Sequence, residues 1–185
     1  MGHSPLKAGI LSDSHDHAAA VASALDRFRA EGVEVILHLG DVCSPSVLAG
    51  YRESGIPLLA VFGNNDDDRD GLQDATGGAF RPGPRIEEVA GRKVLMAHTF
   101  EELQPELSER GRFDLVLFGH THRPLTMRVG KALVLNPGES CGFLRGKHTC
   151  AIVDLETMEP RLVELPVAVV EPSSAGRFPG NPRGL

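Results

Sequence analysis

The chain is predicted to be an α/β protein in which two packed mixed β-sheets are flanked by helices, a four-layer α/β/β/α sandwich. Three observations predict it. Apolar, β-branched runs alternate with helical patterns through the first half, which implies parallel strands joined by crossover helices. The second half replaces that alternation with short strands joined by tight turns, the mark of antiparallel pairing. The length, 185 residues, suits one domain with a sizeable buried core.

The elements follow in chain order. Residues 6–12 (LKAGILS) form the first strand, and residues 18–30 the first helix, because Val21, Ala24, Leu25 and Phe28 recur at helical spacing. Residues 33–39 make a second strand, residues 45–52 a short helix capped by Ser44, and residues 58–62 a third strand. Residues 86–89 and 93–97 flank Ala90-Gly91-Arg92, the turn of a hairpin. A helix over 101–110 precedes a strand at 114–118. Strands at 125–129, 132–135, 149–154 and 160–165 complete the fold. Residues 1–168 are expected to form the domain. Residues 169–185, rich in proline and glycine, are expected to be a mobile tail.

Bulk properties exclude several classes. Apolar content of 41% and charged content of 24% are ordinary for a soluble globular chain. The net charge is −6, and basic residues cluster no further than pairs such as Arg92-Lys93, which argues against a nucleic-acid surface. No apolar run approaches the ~20 residues of a membrane span. The amino terminus lacks the charged and apolar regions of a signal peptide. Cys43, Cys141 and Cys150 are odd in number and widely spaced, so neither a disulfide framework nor a paired-cysteine zinc site is expected. A reduced, cytoplasmic location follows as the expectation.

Function is written into five fragments, each placed where a strand ends. They are Asp13-Ser14-His15, Gly40-Asp41, Gly63-Asn64-Asn65-Asp66, His98, and Gly119-His120-Thr121-His122. Open α/β sheets build their sites at those carboxyl ends. Divalent cations of intermediate softness accept imidazole and carboxylate together. Asp13 and His15 are two apart and can face one ion, a reading favoured over the alternative in which Asp13 and Ser14 cap the following helix. Asp41 has two oxygens with which to bridge two ions, and Gly40 removes a side chain that would crowd it. Asn64 offers a neutral amide oxygen, while Gly, Asn and Asp also make turns without any metal. His120 and His122 suit a loop that addresses two ions. His38 falls on the opposite side of its strand from Leu39 and reads as a packed core histidine. Cys43 reads as a small buried or loop thiol.

Taken together, these motifs resemble the calcineurin-like metallophosphoesterases, in particular the small single-domain phosphodiesterases of archaea and bacteria. The resemblance runs over residues 7–165 and includes the segment Asn136-Pro137-Gly138-Glu139-Ser140-Cys141-Gly142, whose chemistry spacing alone does not reveal. It implies two packed sheets flanked by helices. It also implies two divalent cations, manganese foremost, with iron, nickel or zinc admitted by the same donors. Asp13, His15, Asp41 and His122 would hold the first, and Asp41, Asn64, His98 and His120 the second. A hydroxide shared by the two ions would attack phosphorus in line, so that Asp41, Asn64 and His98 frame the reaction centre. Most of the superfamily carries histidine after the motif asparagine. Here that position is Asn65, which can contact phosphate but cannot release a proton. His17 is the candidate replacement acid, weighed against a plain solvated residue in the first helical turn. The implied substrate is a small phosphodiester, a nucleotide among the candidates; a phosphomonoester or a dinucleoside polyphosphate stays open, as does homo-oligomerisation. The competing class is a non-catalytic scaffold, since a eukaryotic retromer subunit resembles the same family.

Overall fold

The computed structural model describes residues 6–108 and 111–167. A six-stranded sheet has the order β11-β10-β1-β2-β3-β4, with β1 at Lys7–Leu11, β2 at Val33–His38, β3 at Leu58–Val61, β4 at Phe80–Arg81, β10 at Thr149–Asp154 and β11 at Glu159–Glu164. A five-stranded sheet has the order β5-β6-β7-β9-β8, with β5 at Arg85–Val89, β6 at Arg92–Met96, β7 at Leu115–Leu117, β8 at Leu125–Val129 and β9 at Ala132–Asn136. Strands β1 to β4 pair in parallel, as do β6, β7 and β9. The parallel strands of both sheets present their carboxyl ends to one edge of the sandwich, and this places the site.

Alternation along the strands sorts the core into three layers. Ile10, Leu37, Val61, Met96, Leu117, Leu135 and Val153 meet between the sheets. Leu11, Ile36, Ala60 and Phe80 point outward against Val21, Leu25 and Phe28 of helix α1, Ala18–Glu31. On the far side, Leu95, Val116, Phe118 and Val134 pack with Leu103 and Phe113. His38 sits among the outward-facing residues, fully buried and edge-on to Tyr51. The expected core histidine is therefore borne out. Burial pushes its imidazole down to about 4.

Three expectations need correction. Residues 45–52 are not one helix but a 3-10 turn, Pro45–Val47, capped by Ser44, followed by α2, Ala49–Ser54. The helix expected over 101–110 is α4, Phe100–Leu103, and a 3-10 turn at Glu106–Ser108, while positions 109–110 lie outside the described residues. Pro105 lies between them, and a proline cannot continue a helix because it lacks an N–H and its ring clashes with the preceding turn. Helix α3, Arg69–Thr76, and the two-residue strand β4 were not expected. The expectation of two mixed sheets is borne out: β10 and β11 pair antiparallel beside β1 in the first sheet, and β5 and β8 pair antiparallel in the second. The expected tail over 169–185 lies outside the described residues.

Candidate metal centre

Each fragment is carried to the site by the strand before it and then locked to a neighbour. The Asp13 N–H donates to the Gly40 carbonyl at 3.1 Å, and the His15 N–H to the Asp41 carbonyl at 3.0 Å. The Gly119 N–H donates to the His98 carbonyl at 2.9 Å, and the His120 N–H to the Asp13 carboxylate at 3.1 Å. These ties draw loops from both sheets into one cluster. Asp13, His15, Asp41, His120 and His122 all have positive φ, between 42° and 64°, a region non-glycine residues rarely occupy. Gly40, at φ 94°, leaves room that a Cβ would fill at 2.6 Å from the Gly63 nitrogen and 2.9 Å from His98 Nδ1. A Cβ on Gly119 would strike the Ser12 side chain.

The polar atoms at the centre are mostly acceptors aimed at one another. His122 Nδ1 lies 2.7 Å from the Glu139 carboxylate, so that nitrogen carries the proton and Nε2 carries a lone pair. Nε2 nevertheless faces Asp13 Oδ1 at 3.3 Å. His98 Nδ1 donates to the Leu39 carbonyl at 2.7 Å, which turns Nε2 toward Asn64 Oδ1 at 3.0 Å, His120 Nδ1 at 3.2 Å and Asp41 Oδ2 at 3.4 Å. His15 Nε2 approaches Asp41 Oδ2 at 3.6 Å. Asp13 Oδ1 and His15 Nε2 are buried without a hydrogen-bond partner. Converging lone pairs in a buried site need a cation or a proton between them, and a mixed imidazole, carboxylate and amide set fits divalent metal. Ligand atoms of Asp13, His15 and Asp41 all lie within 4.8 Å of one another, as do those of His15, His122 and Cys141.

Charge distribution shows the same tension. Burial pushes Asp13 above the ordinary carboxylate value, against the pull of the Ser12 hydroxyl and the nearby histidines. Burial also opposes ionisation of Asp41, but the His98 imidazole and the Asn65 donors outweigh it and hold that carboxyl well below the usual range. The reciprocal effect raises His98: burial disfavours its proton, and the Asp41 carboxylate more than compensates.

A supporting shell fixes these groups. Asp66 is buried and accepts the backbone N–H groups of Gly63 at 2.7 Å, Cys43 at 2.8 Å and Asp41 at 3.0 Å. Glu139, also buried, accepts from His122 and from the backbone N–H groups of Leu144 and Arg145. Asn136 Nδ2 donates to the Gly119 carbonyl at 2.8 Å and to Thr121 Oγ1 at 3.1 Å. These roles were missed in the sequence, although all three residues lie inside the motifs singled out there. Metal-binding histidines characteristically donate their other nitrogen to a carboxylate or carbonyl, which is the arrangement of His122 and His98.

The structure brings Asp13, His15, Asp41, Asn64, His98, His120 and His122 together. Asn65 is also present, but both of its donors act on Asp41: the backbone N–H reaches Oδ1 at 2.9 Å and the side-chain amide reaches Oδ2 at 2.7 Å. His17 caps α1, its Nδ1 accepting the Ala20 N–H at 3.2 Å, and it packs against Phe143 and His148. Cys43 Sγ lies 3.3 Å from His15 Nδ1, and burial pushes the Cys43 and Cys141 thiols up to about 12. A cavity of about 330 Å³ adjoins His122 and is lined in part by Glu139, Arg145 and Lys147. No helix among the described residues is long and apolar enough to cross a membrane.

Known proteins resemble this chain in sequence and fold. Residues 6–158 match the calcineurin-like phosphoesterase superfamily domain. A phosphodiesterase of Methanocaldococcus jannaschii is 33% identical over 165 residues, which cover 86% of this chain and 99% of that protein. A solved archaeal phosphodiesterase superposes with a TM-score of 0.80 at 32% identity, over 86% of this chain and all of the other. Vacuolar protein sorting 29 of Cryptosporidium parvum shares the fold at 16% identity, with a TM-score of 0.57 over 86% and 96% of the two chains.

Proposed function

The chain belongs to the calcineurin-like phosphoesterase superfamily and is a phosphoric ester hydrolase, and on that premise we propose that it cleaves small phosphodiesters at a two-metal centre. The observation that carries the reading is the set of opposed acceptors, His122 Nε2 against Asp13 Oδ1 and His98 Nε2 against Asn64 Oδ1 and Asp41 Oδ2. Asp13, His15, Asp41 and His122 would hold one divalent cation. Asp41, Asn64, His98 and His120 would hold the other, with Asp41 shared. Manganese is the ion we expect; the same donors admit iron, nickel or zinc. When bound, such ions acidify water and offset the negative charge that builds on the phosphoryl oxygens.

The chain's own residues prepare the site for that chemistry. Leu39 and Glu139 fix the tautomers of His98 and His122, so that each presents a lone pair inward. Asn65 grips both oxygens of Asp41 and holds the shared carboxylate in one orientation. Asp66 gathers the backbone of the Asp41 and Gly63 loops. A Ser or Cys nucleophile is unnecessary, and burial raises the Cys43 and Cys141 thiols above their ordinary values.

The test measures metal and turnover together. Purified protein should carry divalent metal by elemental analysis, and hydrolysis of bis(p-nitrophenyl) phosphate should vanish on chelation and return with manganese. Protein that takes up no metal, or that shows no diester hydrolysis in either condition, would overturn the reading and favour a non-catalytic scaffold.

A further inference from the structure

Beside the cluster, the turn after Glu139 displays a large aromatic ring to solvent. Phe143 is 64% exposed and its neighbour Leu144 is 67% exposed. Exposure at a loop tip would normally signal a flexible, incidental side chain. Here the turn is fastened. The Glu139 carboxylate accepts the Leu144 N–H at 3.0 Å and the Arg145 N–H, and the Gly146 N–H closes the turn on the Gly142 carbonyl at 2.9 Å. His148 Nδ1 meets the Ser140 carbonyl at 2.8 Å and braces the other side. The carboxylate that clamps the turn is the one that orients His122.

The rings form a row leading out of the centre. His122 and His15 stack with centroids 5.3 Å apart and planes 15° apart. Phe143 follows at 6.4 Å from His15, tilted by 30°, with His17 5.7 Å from it on the flank. A phosphoryl group held at the cluster would therefore have a flat apolar surface nearby, beside the His15 ring. Aromatic side chains that stack on a base do so through its π-face, which every nucleobase offers.

We propose that Phe143 is a specificity platform, on which the planar ring of an aromatic or nucleoside phosphodiester stacks while its phosphoryl group lies at the cluster. The inference rests on the phosphodiesterase reading and names its substrate class: diesters bearing a flat aromatic ring, nucleoside esters among them, over purely alkyl esters. Phe143 binds the substrate ring and offers no donor atom to a metal.

The experiment compares ligands that differ only in the ring. Thymidine monophosphate and deoxyribose phosphate are run as competitors of bis(p-nitrophenyl) phosphate hydrolysis by manganese-loaded full-length protein. The wild type should bind the nucleotide at least about fivefold more tightly, the low end of base–aromatic stacking. Phe143→Leu, which keeps an apolar side chain, should erase that preference while leaving the inhibition constant of deoxyribose phosphate within a factor of about two. Phe143→Trp should restore it. Equal affinities in the wild type, or a preference that survives Phe143→Leu, would overturn the platform even though the diester is still hydrolysed. Equal weakening of both competitors in Phe143→Leu would also overturn it, by showing that the side chain only supports the loop. Failure of the wild type to hydrolyse the diester at all would instead remove the reading on which the platform stands.

Discussion

Glu139→Gln isolates one carboxylate that serves the centre and its rim at once. The substitution keeps the shape of the side chain and removes its charge. Glu139 is 1% exposed, and its two oxygens accept from His122 Nδ1, from the Leu144 N–H and from the Arg145 N–H. A glutamine has one acceptor oxygen and an NH2 that must face a donor, so at least one of these contacts becomes donor against donor. Hydrogen bonds to a charged group contribute about 1.5–3 kcal/mol each, and a buried group left unpaired costs a similar amount. A net loss of about 2 kcal/mol is therefore expected, which for a domain of this size lowers Tm by about 4–8 °C. Loss of the carboxylate also frees the His122 tautomer. Outer partners of metal-binding histidines typically contribute ~10–100-fold in metal affinity. Manganese binding followed by calorimetry should thus weaken by that factor, and Glu139→Asp should recover only part of it because its carboxylate falls short. If Glu139→Gln melts lower but binds manganese as tightly as the wild type, Glu139 anchors the turn alone and the account of His122 is refuted.

Other perturbations probe the same framework. Asp66→Ala strands three backbone donors, two of them buried, so chemical denaturation should show a loss of about 3–5 kcal/mol, whereas Asp66→Asn should lose less. Gly119→Ala pushes a methyl group into Ser12; the variant should lose both stability and manganese binding in parallel, and an unaltered melting curve would contradict the packing. His38 must be neutral in the folded protein, since burial holds it at about 4 against 6.5 when free. Between those values the unfolded chain binds a proton that the folded one does not, so stability is full above pH 6.5 and is lost as pH falls toward 4. The loss is on the order of 3 kcal/mol, and urea midpoints across that range should fall less steeply for His38→Gln. Asp13→Asn removes a buried carboxylate oxygen that lacks a partner; the metal-free variant should melt no lower than the metal-free wild type yet lose the rise in Tm that added manganese produces.

Much of this was legible because the relevant signals are local. Val21, Ala24, Leu25 and Phe28 recur at helical spacing and all are buried on α1. The alternation that put His38 opposite Leu39 matches the two core layers they occupy. Metal-binding residue types could be found because each follows an apolar strand. The misses are nonlocal. Helix α3 buries only Leu72 and has Gly71 within it, so no apolar stripe announces it. Strand β4 is two residues long and exists through its pairing with Ala60 and Val61. The pairing of β10 with β1 is a choice of tertiary partner that hairpin patterns do not encode. Spacing does not reveal the roles of Glu139 and Asp66 because their donors come from elsewhere: Glu139 serves His122, seventeen positions away, and Asp66 serves Asp41, twenty-five positions away.

The strain at the centre and its excess of acceptors have one explanation. Left-handed backbone costs about 1–2 kcal/mol at a residue with a side chain, and five of the seven candidate ligands adopt it. In a site without function, such residues would be replaced by glycine at a gain in stability. Glycine would also delete the carboxylates and imidazoles that the turns aim inward. The cost is borne by the structure around the cluster: Asp66 and Glu139 saturate the loop backbones, and parallel strands beneath them are buried on both faces. Strain that persists in a well-satisfied framework marks a geometry maintained for its side chains. The acceptor-on-acceptor contacts complete the argument, because a cation is the ligand that would relieve all of them together.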